Sequence, residues 1–318
     1  SSTKGEERLV AGGGSLTGRY YLSAGWELTG QLNIINYGNA TVTNYTSNNV
    51  SYTCYSYLTT GSSTFSVPHD VSCDFLIVAG GGAGGSNYVG GGGGGGGVVV
   101  GTNQMLSPGA YNITVGAGGA GVVNVGNRGL NGANSSIIKT GINYVALGGG
   151  GGGSYNTQNN GSEGGSGGGG SYVGTQSGNP GLAKYMLADS SINTINSGSE
   201  NITTGVVAYG WGGHGTSTSG HARGGGGGGA GGVGGSGTTG GIPLINTFRT
   251  GSNVYYAGGG GAGSNVASIG EPGGGLGGGT ATVSQKGGAG DGQQGHDNTG
   301  STGSHGTANT GGGGGGGG

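Results

Sequence analysis

Two cysteines, five histidines and a series of glycine-rich loops are the residues of this chain with types and spacing that could do chemistry. Cys54 and Cys73 are separated by 18 residues and fall on neighbouring strand candidates. Paired, they would close a loop worth about 3 kcal/mol in the chain-entropy model and would imply an oxidising compartment. The alternative is two buried free thiols. His214 and His221 in "YGWGGHGTSTSGHARG", with Trp211 and Arg223, have no nearby cysteine and no closely spaced carboxylate. They read as polar loop residues rather than metal ligands, and His296, Asp297 and His305 in "GHDNTGSTGSHG" read the same way. GxGxxG matches recur by chance in a chain this rich in glycine. No GK[ST] follows any glycine run, there is no HExxH, and no GxSxG lies between a strand and a helix. The expectation is a non-enzymatic protein without a cofactor or metal.

Seven N-x-S/T sequons, at Asn39, Asn44, Asn49, Asn112, Asn134, Asn160 and Asn201, are candidate glycosylation sites, although a composition rich in Asn, Ser and Thr generates several by chance. Aromatic usage is lopsided, with 16 tyrosines against two tryptophans and three phenylalanines. Tyr, Asn, Ser and Gly are the residues that adaptable recognition loops favour. Tyr155, Tyr172, Tyr185, Tyr209 and Trp211 are therefore candidate contacts to a ligand or receptor; the alternative is that they cap and pack on the glycine-rich part. The longest glycine-poor insert, 171–208, holds "LAKYMLAD", which could form one helical turn.

The elements that must position these residues are unusual. Glycine supplies 97 of 318 residues, against an ordinary share of about 7%. Charged residues are 6% of the chain and the net charge is −2, so there is no electrostatic case for nucleic acid or an anionic membrane. No run reaches the roughly 18 apolar residues of a membrane span. No signal-peptide pattern opens the sequence, and Ser1 fits the residue left after one is removed. Collagen is excluded by five prolines and the lack of a three-residue glycine period.

Residues 1–15 read as a connection, 16–79 as a β-rich segment and 80–318 as a glycine-rich domain. In the second, "LNIINYG", "ATVTNYT", "VSYTCYSYLTT", "STFSV" and "CDFLIVAGGG" are short strands separated by turn residues. The continuously apolar "FLIVA" is expected to be a buried central strand, and the alternation in "VSYTCYSY" to leave one face wet. Further on, "LIVAGGG", "YVALGGG" and "VYYAGGG" repeat one junction, an apolar strand feeding directly into glycine. A flexible linker would not repeat its junctions. Ordering each glycine costs up to about 1 kcal/mol more than ordering alanine. Extended three-residue-per-turn helices of the polyglycine II type, packed side by side, would offset this through hydrogen bonds worth about 0.5–1.5 kcal/mol each. Any side chain inside such a bundle is expected to wedge it apart.

"FSVPHDVSCDFLIVAGGGAGG", the eight-glycine run before "VVV", "LSPGAYNITVGAGGAG", "NGANSSI", "VALGGGGGG", "VYYAGGGGAG" and "GTANTGGGGGGG" occur in that order over Thr41–Gly318. They resemble the glycine-rich domain of phage tail-fibre and adhesin proteins. Related modules occur in the ectodomains of some animal receptor kinases. The resemblance implies a mainly β protein with little or no helix. Its antiparallel β-sandwich framework would carry a polyglycine II bundle, with variable distal loops touching a host surface. That family typically adds an apolar strand after its last glycine run, where this sequence stops at Gly318. Two functions follow as expectations, both extracellular, on a virion surface or a cell-surface appendage. One is an adhesin binding a glycan or protein of a host or neighbouring cell, attached to a fibre shaft. The other is a self-assembling fibre subunit joined by strand exchange.

Overall fold

Runs of β-branched and aromatic residues between Asn, Gly and Ser clusters make every regular element a strand. In the computed structural model the described residues are strands β1 (Glu7–Ala11), β2 (Gly14–Tyr21) and β3 (Gly25–Thr29), followed by 35–317 without 87–88, 123–125, 156–157, 174–175, 216–222, 236–237, 265–285 and 291–302. Among them there is no helix, and every strand pair is antiparallel. β1, β2 and β3 form a sheet of their own, in that order. β4 (Thr41–Ser47) and β5 (Val50–Ser56) form a hairpin with Asn48 and Asn49 at its tip, both at positive φ (50° and 63°). Positive φ at both central residues is what a two-residue turn needs to match strand twist.

Two four-stranded sheets form the sandwich. One has the order β11-β10-β9-β6, from β6 (Gly61–Val67), β9 (Gly109–Val115), β10 (Ser135–Lys139) and β11 (Ile142–Ala146). The other has the order β16-β17-β8-β7, from β7 (Val71–Val78), β8 (Val98–Leu106), β16 (Ser199–Thr203) and β17 (Val206–Tyr209). Ile77, Val99, Val206 and Ala208 of the second sheet meet Ala146, Ile137 and Tyr144 of the first, while Tyr111 and Ile113 pack with Val67 and Leu106. The second sheet is covered on its other face too. Val98, Val100, Leu76, Val78 and Tyr209 pack with Leu244, Val254 and Tyr256 of a small hairpin, β18 (Leu244–Asn246) and β19 (Val254–Tyr256). Burial on both faces explains three consecutive valines in β8. It also explains "FLIVA", but with a correction: among the described residues β7 is an edge strand of its sheet, and β8 and β17 are the inner ones. A continuous apolar run reports two covered faces, not two paired edges. The "VSYTCYSY" strand departs from its expected alternation, because its first half is exposed at successive positions.

The insert holds four further short strands in two separate pairs. β12 (Tyr172–Val173) pairs with β13 (Gln176–Ser177), and β14 (Lys184–Met186) with β15 (Ile192–Thr194). "LAKYMLAD" is thus part of a hairpin rather than a helical turn: Tyr185 and Ala183 pack onto the sandwich core, and this tertiary contact outweighs local helix preference.

The remaining segments leave the strands as glycine. β7 continues into 79–85, β11 into 147–153, β17 into 210–214 and β19 into 257–263, while 90–97 enters β8. Gly90–Gly97 lies at the centre of six others. Its N–H groups at 90, 93 and 96 donate to Gly317, Gly314 and Gly311; those at 91, 94 and 97 donate to Gly153, Gly150 and Leu147; those at 92 and 95 donate to Gly225 and Gly228. Its carbonyls accept from Ala79, Gly82 and Gly85, from Ser166 and Gly169, and from Gly260 and Gly263. The partner therefore changes at each residue and returns at every third. The outer segments also bond to one another in a closed ring, through Gly149→Gly80, Gly153→Gly169, Gly228→Gly167, Gly227→Gly260, Gly316→Gly261 and Gly317→Gly85. The order of partner numbers shows that 90–97 and 225–228 run opposite to the other five segments.

This spacing is incompatible with a Cβ at most positions. One added at Gly92 would fall on the carbonyl oxygen of Gly260, at Gly93 on that of Gly82, and at Gly94 on that of Ser166. The expectation that no side chain enters is too strict, however. Ala79, Ala83, Ala257, Ser154, Ser166 and Ser171 are all buried within the segments or at their ends. Ser171 keeps its place by donating from Oγ to the Val89 carbonyl at 2.9 Å.

Gly93→Ala is expected to cost about 3 kcal/mol or more, at or beyond the upper end of ordinary overpacking. Gly118→Ala, where a Cβ meets only the Gly81 oxygen at 3.7 Å, should shift stability by less than about 1 kcal/mol. Denaturant unfolding of the two variants checks the contrast.

Candidate functional site

Among the described residues β7 has β8 on one side and no strand on the other, and β5 has only β4. Half the backbone N–H and C=O groups of an edge strand point away from its one partner and can pair with another extended chain. Both edges line the same groove, of about 1580 Å³. That exceeds the roughly 300–1,000 Å³ of a small-molecule pocket. Apolar side chains form its strand half, Phe65, Val71, Phe75, Ile77, Leu106 and Ile113 among them, with Tyr45 and Tyr55 from the β4–β5 hairpin. The other half is largely glycine backbone, made by 79–86, 116–119 and the final glycine run, with Ser304, His305 and Thr307 also lining it.

The glycine half carries its own signature. In 79–85, the N–H groups of Ala79, Gly82 and Gly85 serve the central run, and those of Gly80 and Ala83 serve Ala133 and Leu130. The third face of the segment holds Gly81 and Gly84, whose N–H groups donate to no acceptor among the described residues. Gly81 is buried and Gly84 half-buried, and both line the groove. A buried donor without an acceptor is costly, so this face is suited to carbonyls of an added segment. The site as a whole can recognise an extended backbone, apolar at one end and free of side chains at the other.

Cys54 and Cys73 both line this groove, on β5 and β7. They are free thiols here, so the expected bridge is not formed. The two thiols are held on different sheets without meeting. β5 pairs with β4, placing Cys54 opposite Thr43, whereas Cys73 pairs across to Gln104 of β8 in a different sheet. Cys54 Sγ lies instead 3.5 Å from Ser56 Oγ. Burial, with the neighbouring Asp74 carboxylate, pushes the Cys73 thiol up to about 11. Burial likewise raises the Tyr45 and Tyr57 phenols, with Tyr57 reaching about 12.

The tyrosine candidates do not share one surface. Tyr185 packs on the cluster inside the sandwich, while Tyr209, next to Ala208 of that cluster, packs on the opposite face of the sheet. Both are half-buried. Trp211 sits against Gly198, where its indole occupies the space a Cβ would need. Tyr155 and Tyr172 follow 147–153 and 166–170, segments that run away from the sandwich, and are half-buried at the far end. All seven sequon asparagines are exposed. The Asn134 side chain is engaged, accepting from the Gly148 N–H at 2.9 Å, and Asn160 accepts from that of Asn179 at 2.8 Å. His214 bonds the Gly215 carbonyl through Nδ1 at 2.6 Å. His221, His296 and Asp297 lie outside the described residues, among which no cluster of three His, Cys, Asp or Glu is arranged to hold a metal. No helix among them is long and apolar enough to cross a membrane.

The groove itself was not among the sequence expectations as a site. Its one sequence signal was the junction "LIVAGGG", read correctly as a strand feeding glycine but without its open side. In a Cys54→Ser chain, alkylation of Cys73 should be slow at neutral pH and rise about tenfold per pH unit until pH approaches 11, because the thiolate is the reacting form. Time courses of thiol labelling across that range measure this.

No curated protein and no solved structure matches the chain. A family model described as a glycine-rich domain matches residues 58–318. That span takes in both sandwich sheets and all the glycine segments around Gly90–Gly97, and the chain belongs to this glycine-rich domain family.

Proposed function

We propose that the glycine segments are polyglycine II helices in a hexagonal bundle, and that the protein is a non-enzymatic extracellular structural subunit that joins to others through its groove. The observation that carries this reading is the pair of open strand edges, β5 and β7, facing one groove that continues along the Gly81–Gly84 face. Strand addition at such an edge draws affinity from main-chain hydrogen bonds and specificity from alternate side-chain pockets. The three-residue return of hydrogen-bond partners supports the polyglycine II assignment. A bundle with almost no rotatable side chains makes a stiff body, as a fibre or appendage requires. The exposed sequon asparagines would carry glycans on its outside.

A second reading has one specific observation in its favour. Tyr155 and Tyr172 stand at the end of the bundle away from the sandwich, where an adhesin at the tip of a tail fibre would present loops to a glycan or protein of a host cell.

Light scattering and negative-stain microscopy of the purified full chain separate the two. Regular filaments or linear oligomers that grow with concentration are the expected result. Compact particles that bind cells, and lose that binding on Tyr172→Ala, would replace the fibre reading with the adhesin.

A further inference from the structure

The sequence Arg8-Leu9-Val10-Ala11-Gly12-Gly13-Gly14 repeats the junction that forms the groove wall, Leu76-Ile77-Val78-Ala79-Gly80-Gly81-Gly82. Every other such junction, at "YVALGGG" and "VYYAGGG", is built into the sandwich and bundle. In the N-terminal copy the strand, β1, is described: among the described residues it is the edge of the sheet β1-β2-β3 and pairs only with β2.

We propose that the groove accepts residues 7–14 of a second copy of this chain, a proposal that rests on the assembly reading above. Leu9 and Val10 would enter the apolar half between β5 and β7, exchanging one ladder with β2 for ladders on two open edges. Ala11 and Gly14, three residues apart like Gly81 and Gly84, would present carbonyls to their two N–H groups. Only a segment that changes from apolar to side-chain-free partway along fits both halves. Because β7 also runs from strand into glycine, the inserted segment must lie parallel to it for the halves to match. The segment 79–85 already has parallel neighbours in 147–153 and 311–317. The glycine half belongs to the same groove of about 1580 Å³, lined there by Gly81, Gly84, Gly118 and Gly121. Exchange of an identical element between copies needs no new surface, and repeated head to tail it gives an open fibre wherever its rotation does not close a ring.

Mixed-chain crosslinking tests this. A full chain carrying Val10→Cys with Cys54→Ser and Cys73→Ser is mixed with a Cys54→Ser chain that keeps Cys73, and the mixture is oxidised with copper phenanthroline. The expected product is a reducible heterodimer, which falls at least tenfold when Leu9→Asp is added to the donor. A synthetic peptide of residues 5–16 should also bind the full-length Leu9→Asp chain and raise its Tm, whereas a scrambled peptide should not. In one chain carrying Val10→Cys and Cys54→Ser with Cys73 kept, an internal disulfide that forms independently of concentration, with no heterodimer in the mixture, would overturn the second-copy assignment. Filaments that persist unchanged in Leu9→Asp would overturn this donor while leaving the assembly reading standing. Absence of any assembly, with no peptide binding, would remove both.

Discussion

The structure depends on one geometric condition: two extended backbones must approach until an N–H on one meets a carbonyl on the next, in three directions around the axis. A Cβ on either chain blocks that approach, as the overlap at Gly92, Gly93 and Gly94 makes plain. A β-sheet satisfies its backbone in one plane and leaves two faces for side chains. The segments around Gly90–Gly97 satisfy theirs all round and so have no face left to decorate. Cohesion therefore comes from the main chain, and the sequence within the bundle is nearly emptied of information.

Information returns at the junctions. Strands such as β7, β8 and β11 carry ordinary apolar side chains, and they decide which glycine segment lies beside which, because each segment inherits the position of its strand. The sandwich works as a template for a bundle that could not specify its own order. In the closed ring of hydrogen bonds, 79–85, 147–153 and 257–263 leave strands and share one direction, while 90–97 enters β8 and runs the other way. The small hairpin of β18 and β19 serves the same end, covering the outer face of the sheet whose strands launch the central run.

Much of the framework was legible in the sequence because β-structure announces itself locally. The turn at Asn48–Asn49, the strands at 41–47 and 71–78, and the strand-to-glycine junctions could each be read from a few residues. What could not be read was pairing. "FLIVA" reported burial on two faces and concealed an open edge, since hydrogen-bond partners leave no trace in side-chain hydrophobicity. Cys54 and Cys73 sat on adjacent strand candidates that the topology assigned to different sheets. Tyr185 and Tyr209 looked alike as loop aromatics and proved to lie on opposite sides of one sheet. Direction within the bundle was wholly hidden, because glycine reads the same both ways.

The buried glycine segments have a thermodynamic corollary. Unfolding an ordinary core exposes apolar surface and raises the heat capacity by about 12–15 cal/mol/K per residue, which curves the stability profile. Unfolding segments such as 90–97 exposes amides and almost no hydrocarbon, and polar exposure lowers the heat capacity. The bundle thus flattens the dependence of stability on temperature that the sandwich alone would have. A body held together in this way resists cold as well as heat, because the attraction that weakens on cooling contributes little to it.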